Sequence, residues 1–135
     1  MARYIALIDG EAGAYGASFP DAPGATAMGA TIDDVFRLAG EALAEWTADE
    51  LAAGRDLPRA RSVEELRSDA ETAEALASGA ILTVVPVVID YGRPTRINVS
   101  LDAGLLAAID EAAAQRKLTR SAFLSTAARE KIAGG

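Results

Sequence analysis

The six residues Arg96-Ile97-Asn98-Val99-Ser100-Leu101 constrain what this chain can fold into more than any other stretch. They alternate strictly, so a strand here puts Ile97, Val99 and Leu101 on one face and Arg96, Asn98 and Ser100 on the other. Helical spacing follows. It predicts a helix from about Ala103 to Arg116 capped by Asp102, a turn at Lys117-Leu118, and a second helix from about Arg120 to Ala133 capped by Thr119. A lone strand ahead of two helices cannot satisfy its own backbone N–H and C=O groups. The simplest partner is the same strand from a second copy. Two-fold pairing then gives an antiparallel ribbon lying on four helices, with Ile97, Val99 and Leu101 as the dimer core, packed on Leu105, Leu106, Ile109, Phe123, Leu124 and Ala127. The outward face fits a major groove, where Arg can bond guanine and Asn can bond adenine, so Arg96, Asn98 and Ser100 are the expected base-contacting residues. Thr119, Arg120 and Ser121 open the second helix, whose amide groups and positive dipole end can hold a phosphate. The competing reading is a strand and helical hairpin packed inside a larger fold, with Arg120, Arg129 and Lys131 as plain surface charges.

The charge distribution bears on that choice. The whole chain of 135 residues carries −7, which by itself argues against nucleic acid. From Thr95 onward, however, six bases face four acids, +2, whereas Met1 to Pro94 hold seven bases against sixteen acids, −9. Such a split suggests two segments with different partners, one basic and one phosphate-bearing. We place the boundary at Asp90-Tyr91-Gly92-Arg93-Pro94, giving domains 1–90 and 95–135. With no Cys and no His, disulfides, thiol nucleophiles, Cys/His zinc sites and imidazole acid–base catalysis are excluded. The N-terminus has no apolar signal core, and the longest apolar run, Ala80 to Ile89, is too short to span a bilayer. A cytoplasmic protein with no membrane partner is expected. Aromatic residues are few (three Phe, three Tyr, one Trp), so the core is thin and association is favoured.

Ahead of the boundary, Arg3 to Asp9 and Ala14 to Phe19 read as strands around a Gly10–Gly13 turn, and Ala25 to Ala30 as a short third strand. Pro20-Asp21-Ala22-Pro23-Gly24 forms a rigid loop, because each proline fixes φ and lacks a donor. Thr31 and Asp34 resemble a capping box opening a helix that stops near Ala53-Gly54. Its apolar positions Ile32, Val35, Ala39, Ala42, Leu43 and Trp46 oppose Asp33, Asp34, Glu41, Glu45 and Asp49. Ser62 opens a short helix and Asp69 to Ser78 a further one. Ile81 to Ile89 is a strand apolar on both faces, which Pro86 confines to an edge or bulge. The sum is α+β: a small sandwich domain followed by a dimeric strand–helix–helix module.

Two resemblances sharpen this picture. RINVSLDAGLLAAIDEAAAQRKLTRSAFLSTAAREKI, residues 96–132, resembles the ribbon-helix-helix family of DNA-binding proteins in strand pattern, Asp cap, Leu-Leu-x-x-Ile spacing and Thr-Arg-Ser start of the second helix. YGASFPDAPGATAMG, residues 15–29, resembles the hallmark stretch of HicB antitoxins: a strand ending Phe-Pro-Asp, then Pro-Gly, then a short strand ending in Gly. Thr31-Ile32-Asp33-Asp34, Glu41-Ala42-Leu43 and Leu57-Pro58 extend the likeness over most of residues 3–89. The resemblance implies a partial RNase-H-like N-terminal domain that masks a small basic HicA-like toxin, an mRNA-cleaving ribonuclease. It also implies a tail that binds operator DNA and represses the operon. Phe19, Asp21, Ala22 and Pro23 are the expected toxin-binding residues, with Ala22 standing where the family carries a larger apolar side chain, so the contact there is expected to be smaller.

Asp9, Glu11, Asp21, Asp33 and Asp34 could serve a metal-dependent nuclease only by converging on a pair of cations. Asp33 and Asp34 point apart on a helix, and Asp21 suits a turn. We therefore expect surface acids, no catalytic residues, no metal and no cofactor. The acidic helix face is either solvated or complementary to a cationic ribonuclease. A stand-alone regulator with a ligand-sensing N-terminal domain remains the alternative. Self-association is expected to give a dimer, which pairing of N-terminal domains would raise to a tetramer.

Overall fold

The computed structural model describes residues 1–134 and divides the chain into two compact units, Met1–Tyr91 and a second that begins at Gly92. The first contains β1 (Ala2–Glu11), β2 (Ala14–Ser18), β3 (Thr26–Gly29), α1 (Ile32–Ala52), α2 (Val63–Arg67), α3 (Ala70–Ala77) and β4 (Ile81–Val87). The second contains α4 (Ala103–Gln115) and α5 (Arg120–Ala133).

The sheet has the order β3-β2-β1-β4 and is antiparallel throughout. Register follows the alternation of the strands. Tyr4 faces Val85, and Ile8 lies between Ala17 and Ile81, so β1, β2 and β4 share one apolar face. That face takes α1, with Tyr4, Ala6, Ile8, Ala17, Phe19, Val85 and Val87 packed against Val35, Ala39 and Leu43. On the other parity of β1, Ile5 is also buried, and α3 lies against the strand. β4 runs along an edge, where the missing N–H of Pro86 leaves its partner Arg3 and the rest of the ladder undisturbed.

Helix limits follow their caps. Thr31 Oγ1 accepts the N–H of Asp34 at 3.0 Å, and Gly54 adopts φ 76 just past the helix end. The Asp34 carboxylate lies 4.0 Å from Arg37, so only the Thr31 half of the expected capping box is observed. Ile32, expected on the apolar side of α1, is 39% exposed in its first turn. Gly29 is required by close approach: a Cβ there would lie 2.8 Å from the backbone nitrogen of Val35. Gly29→Ala is therefore expected to push α1 off β3 and to cost roughly 1–3 kcal/mol. A thermal melt matching the wild type would contradict this.

In the second unit the predicted helices and their Asp102 and Thr119 caps are present, and Lys117 turns the chain at φ 57. The predicted strand Arg96–Leu101 is not formed: no strand lies between β4 and α4, and the stretch is exposed throughout. The reason is physical, since a strand exists only through its neighbour's hydrogen bonds and one chain supplies none. The expected core is correspondingly open. Ile109 is buried, as is Ala113, which the sequence reading missed. Leu106, Phe123 and Leu124 are half-buried, and Leu105 and Ala127 are exposed.

Candidate functional site

Two surfaces gather the predicted functional residues. The first is the extended segment ahead of α4. Ile97 is 74% exposed, Val99 60% and Leu101 38%, a row of exposed apolar side chains. Arg96, Asn98 and Ser100, which alternate with them, are exposed as well. At the start of α5, Thr119 Oγ1 accepts the N–H of Ala122 at 3.1 Å, leaving the N–H groups of Arg120 and Ser121 directed out of the helix end. The Arg120 side chain turns back onto the preceding helix. Its Nε and Nη2 donate to Asp110 Oδ1 and Oδ2, both at 2.9 Å. These bonds lower the Asp110 pKa and raise that of Arg120.

The second surface is the proline loop between β2 and β3. Successive turns, Ala22 N–H to Phe19 O at 3.2 Å and Ala25 N–H to Ala22 O at 3.1 Å, fold it tightly. Phe19 and Ala22 are buried in the core, so of the four expected toxin-binding residues these two present no surface. Asp21 is not a surface acid either. Its side chain is 10% exposed, and its carboxylate accepts both the backbone N–H and the Nε–H of Arg61 at 2.7 Å. Pro23 is exposed, and its carbonyl accepts the indole N–H of Trp46 at 3.0 Å. Trp46 itself is only partly buried, one edge on the core and one on the loop.

Sequence reasoning missed the partner of this loop, the segment Arg55–Ser62, because a contact between Asp21 and Arg61 has no local spacing to reveal it. Arg61 also reaches Asp69 at 3.5 Å, and Tyr4 donates its hydroxyl to Pro58 O at 2.8 Å. Burial raises the Tyr4 pKa, with the Asp21 charge adding to the effect. A groove of about 320 Å³ runs beside these residues, bounded by Leu7, Pro20, Arg61 and Thr72 among others. Among the described residues no three Asp or Glu gather as a metal site.

The next element is locked by charge. Ser62 and Glu65 form a full capping box at α2, and Arg59 grips Glu65 through two bonds of 3.1 and 2.7 Å. The Arg59 hydrogen bonds, reinforced by the Ser62 N–H, hold the Glu65 pKa down at about 2. A carboxylate with a depressed folded-state pKa contributes stability above its ordinary value of 4.5, and loses it as pH falls toward about 2. Amide exchange in α2 is therefore expected to accelerate, beyond the intrinsic pH effect, between those limits. Glu65→Gln should remove that pH-dependent acceleration, and its persistence would contradict the assignment.

The family model described as HicB_like antitoxin of bacterial toxin-antitoxin system matches residues 4–128. The chain belongs to the HicB family of antitoxins. The crystal structure of the Burkholderia pseudomallei antitoxin HicB is similar at 34% identity and TM-score 0.58, covering 95% of this chain and 96% of that one. Antitoxin HicB3 is similar at 29% identity and TM-score 0.56, covering 97% and 98%. A chain of the HicA3 and HicB3 toxin-antitoxin complex matches 64% of this chain and 99% of its own length, at 25% identity and TM-score 0.53. No curated relative matches the chain. Among the described residues, no helix is long and apolar enough to cross a membrane.

Proposed function

We propose that this antitoxin is a non-enzymatic inhibitor that binds a HicA-like mRNA-cleaving toxin through its first unit and represses its own operon through its second. The observation that carries the reading is the segment Arg96–Leu101. It is an alternating, exposed, unpaired stretch set directly before two capped helices. Such a stretch gains both its backbone hydrogen bonds and its apolar burial from a second copy, and the resulting ribbon-helix-helix dimer would present Arg96, Asn98 and Ser100 to operator DNA. The helix start at Thr119, Arg120 and Ser121 would meet phosphate. Binding would weaken steeply with salt as counterions are released.

For the first unit we read the antiparallel sheet with α1 on one face as a partial RNase-H-like fold. Phe19 and Ala22 shape the proline loop from beneath, and the toxin would meet its outer edge at Pro23 together with the exposed acids of α1, Glu41, Glu45 and Asp49. Inhibition would be steric, with charge complementarity speeding association. The HicA3 and HicB3 complex supports a toxin partner of this kind. The test is a pull-down with the tagged chain from its native host. Recovery of a small basic protein encoded beside it is expected. A tagged chain that repeatedly emerges without one would overturn the toxin half of the proposal.

A further inference from the structure

Arg120 holds two positions that conflict. In the DNA-binding reading it faces phosphate, yet the structure commits it to Asp110 on the preceding helix. A guanidinium offers five N–H groups, and the Nε–Nη2 edge is one that grips an oxyanion with two parallel bonds. In this chain that edge is filled by the Asp110 carboxylate. The pair is neutral as a unit, so it adds nothing to phosphate attraction while it is closed. Both side chains remain about half exposed, at 55% and 45%, and so accessible to an incoming phosphate. The clasp also spans a thin interface, since no residue of α5 is buried, and a further charged contact across it is Arg116 over the Phe123 ring at 5.9 Å.

We propose that Asp110 is an intramolecular stand-in for DNA phosphate, holding Arg120 in the free chain and releasing it when a phosphate oxygen takes its place. Asp110 thereby lowers the affinity of the module for DNA and acts as a built-in brake on binding. This inference rests on the DNA-binding reading. It goes further by assigning an opposing role to a residue that touches no base. Glu111, the next residue on α4, is exposed and carries the same charge, which makes it the natural control.

The test uses the full chain and two duplexes of equal length, one from directly upstream of its reading frame and one of scrambled sequence, titrated by fluorescence anisotropy over a range of salt. Asp110→Asn is expected to tighten both duplexes about three-fold or more beyond Glu111→Gln. Because Arg120 meets phosphate in the bound state of both chains, the dependence of log K on log salt should keep the wild-type slope. Adding Arg120→Gln should cancel that gain and flatten the slope by about 0.9 for each copy. In the wild-type chain, the Arg120 Nε–H resonance should shift when either duplex is added, a readout that does not depend on how any variant folds. Equal effects of Asp110→Asn and Glu111→Gln, or an Arg120 resonance unmoved by bound DNA, would overturn the inference while leaving the DNA-binding reading intact. A wild-type chain that binds neither duplex would overturn that reading and the inference with it.

Discussion

Replacing Arg96 and Asn98 together with alanine is expected to abolish discrimination between operator and random DNA while leaving self-association unchanged. Each bidentate base contact contributes about 1–3 kcal/mol of discrimination. A symmetric dimer would lose two copies of each, a total comparable to the roughly 4–10 kcal/mol that separates specific from non-specific binding. Both side chains are exposed and belong to no buried cluster, so the helices and their caps should survive. The apolar residues between them should behave in the opposite way. Ile97→Asp would place a charge on the face that we assign to the dimer core, so it should lower the oligomeric state first and DNA binding as a consequence. Gel shifts paired with sedimentation separate the two outcomes. A shift that survives the Arg96 and Asn98 substitutions would refute the assignment of the ribbon face.

The second large effect concerns the first unit. Leu43 is fully buried at the centre of the α1 interface, among Ala39, Val35 and the sheet residues. Leu43→Ala removes three heavy atoms from a core with few large side chains and is expected to cost about 2–5 kcal/mol. Against the 5–15 kcal/mol typical of a domain, that is a substantial share. Glu41→Gln, two residues earlier on the exposed side of the same helix, should stay within about 0.5 kcal/mol. Urea unfolding can follow both through Trp46, the sole tryptophan, whose indole bridges the core and the Pro23 carbonyl. A Leu43→Ala midpoint close to that of Glu41→Gln would mean that α1 does not pack as described.

The elements of the first unit were legible because their signals are local. Apolar runs bounded by glycine turns marked β1 and β2, Thr31, Ser62 and Asp69 marked helix starts, and Pro86 marked a strand at an edge or bulge, which the structure places at the edge. The loop chemistry was not legible. Asp21 looked like an exposed turn residue because nothing near it in sequence neutralises it; its partner Arg61 lies 40 residues away. Phe19 and Ala22 sit in the stretch whose resemblance to the family implies toxin contact, but a tight double turn folds them inward. Arg120 was read from its place at a helix start, whereas its side chain turns back across the helix pair to Asp110. For Asp21 and Arg120 the element is legible in the sequence, and the distant partner decides what the side chain can touch.

The most direct measurement is an RNA-cleavage assay with the small basic protein encoded beside this chain, run with increasing amounts of the purified antitoxin. Cleavage should fall in proportion to added antitoxin and cease near stoichiometric equivalence. Undiminished cleavage in the presence of excess folded antitoxin would contradict the proposed inhibition outright.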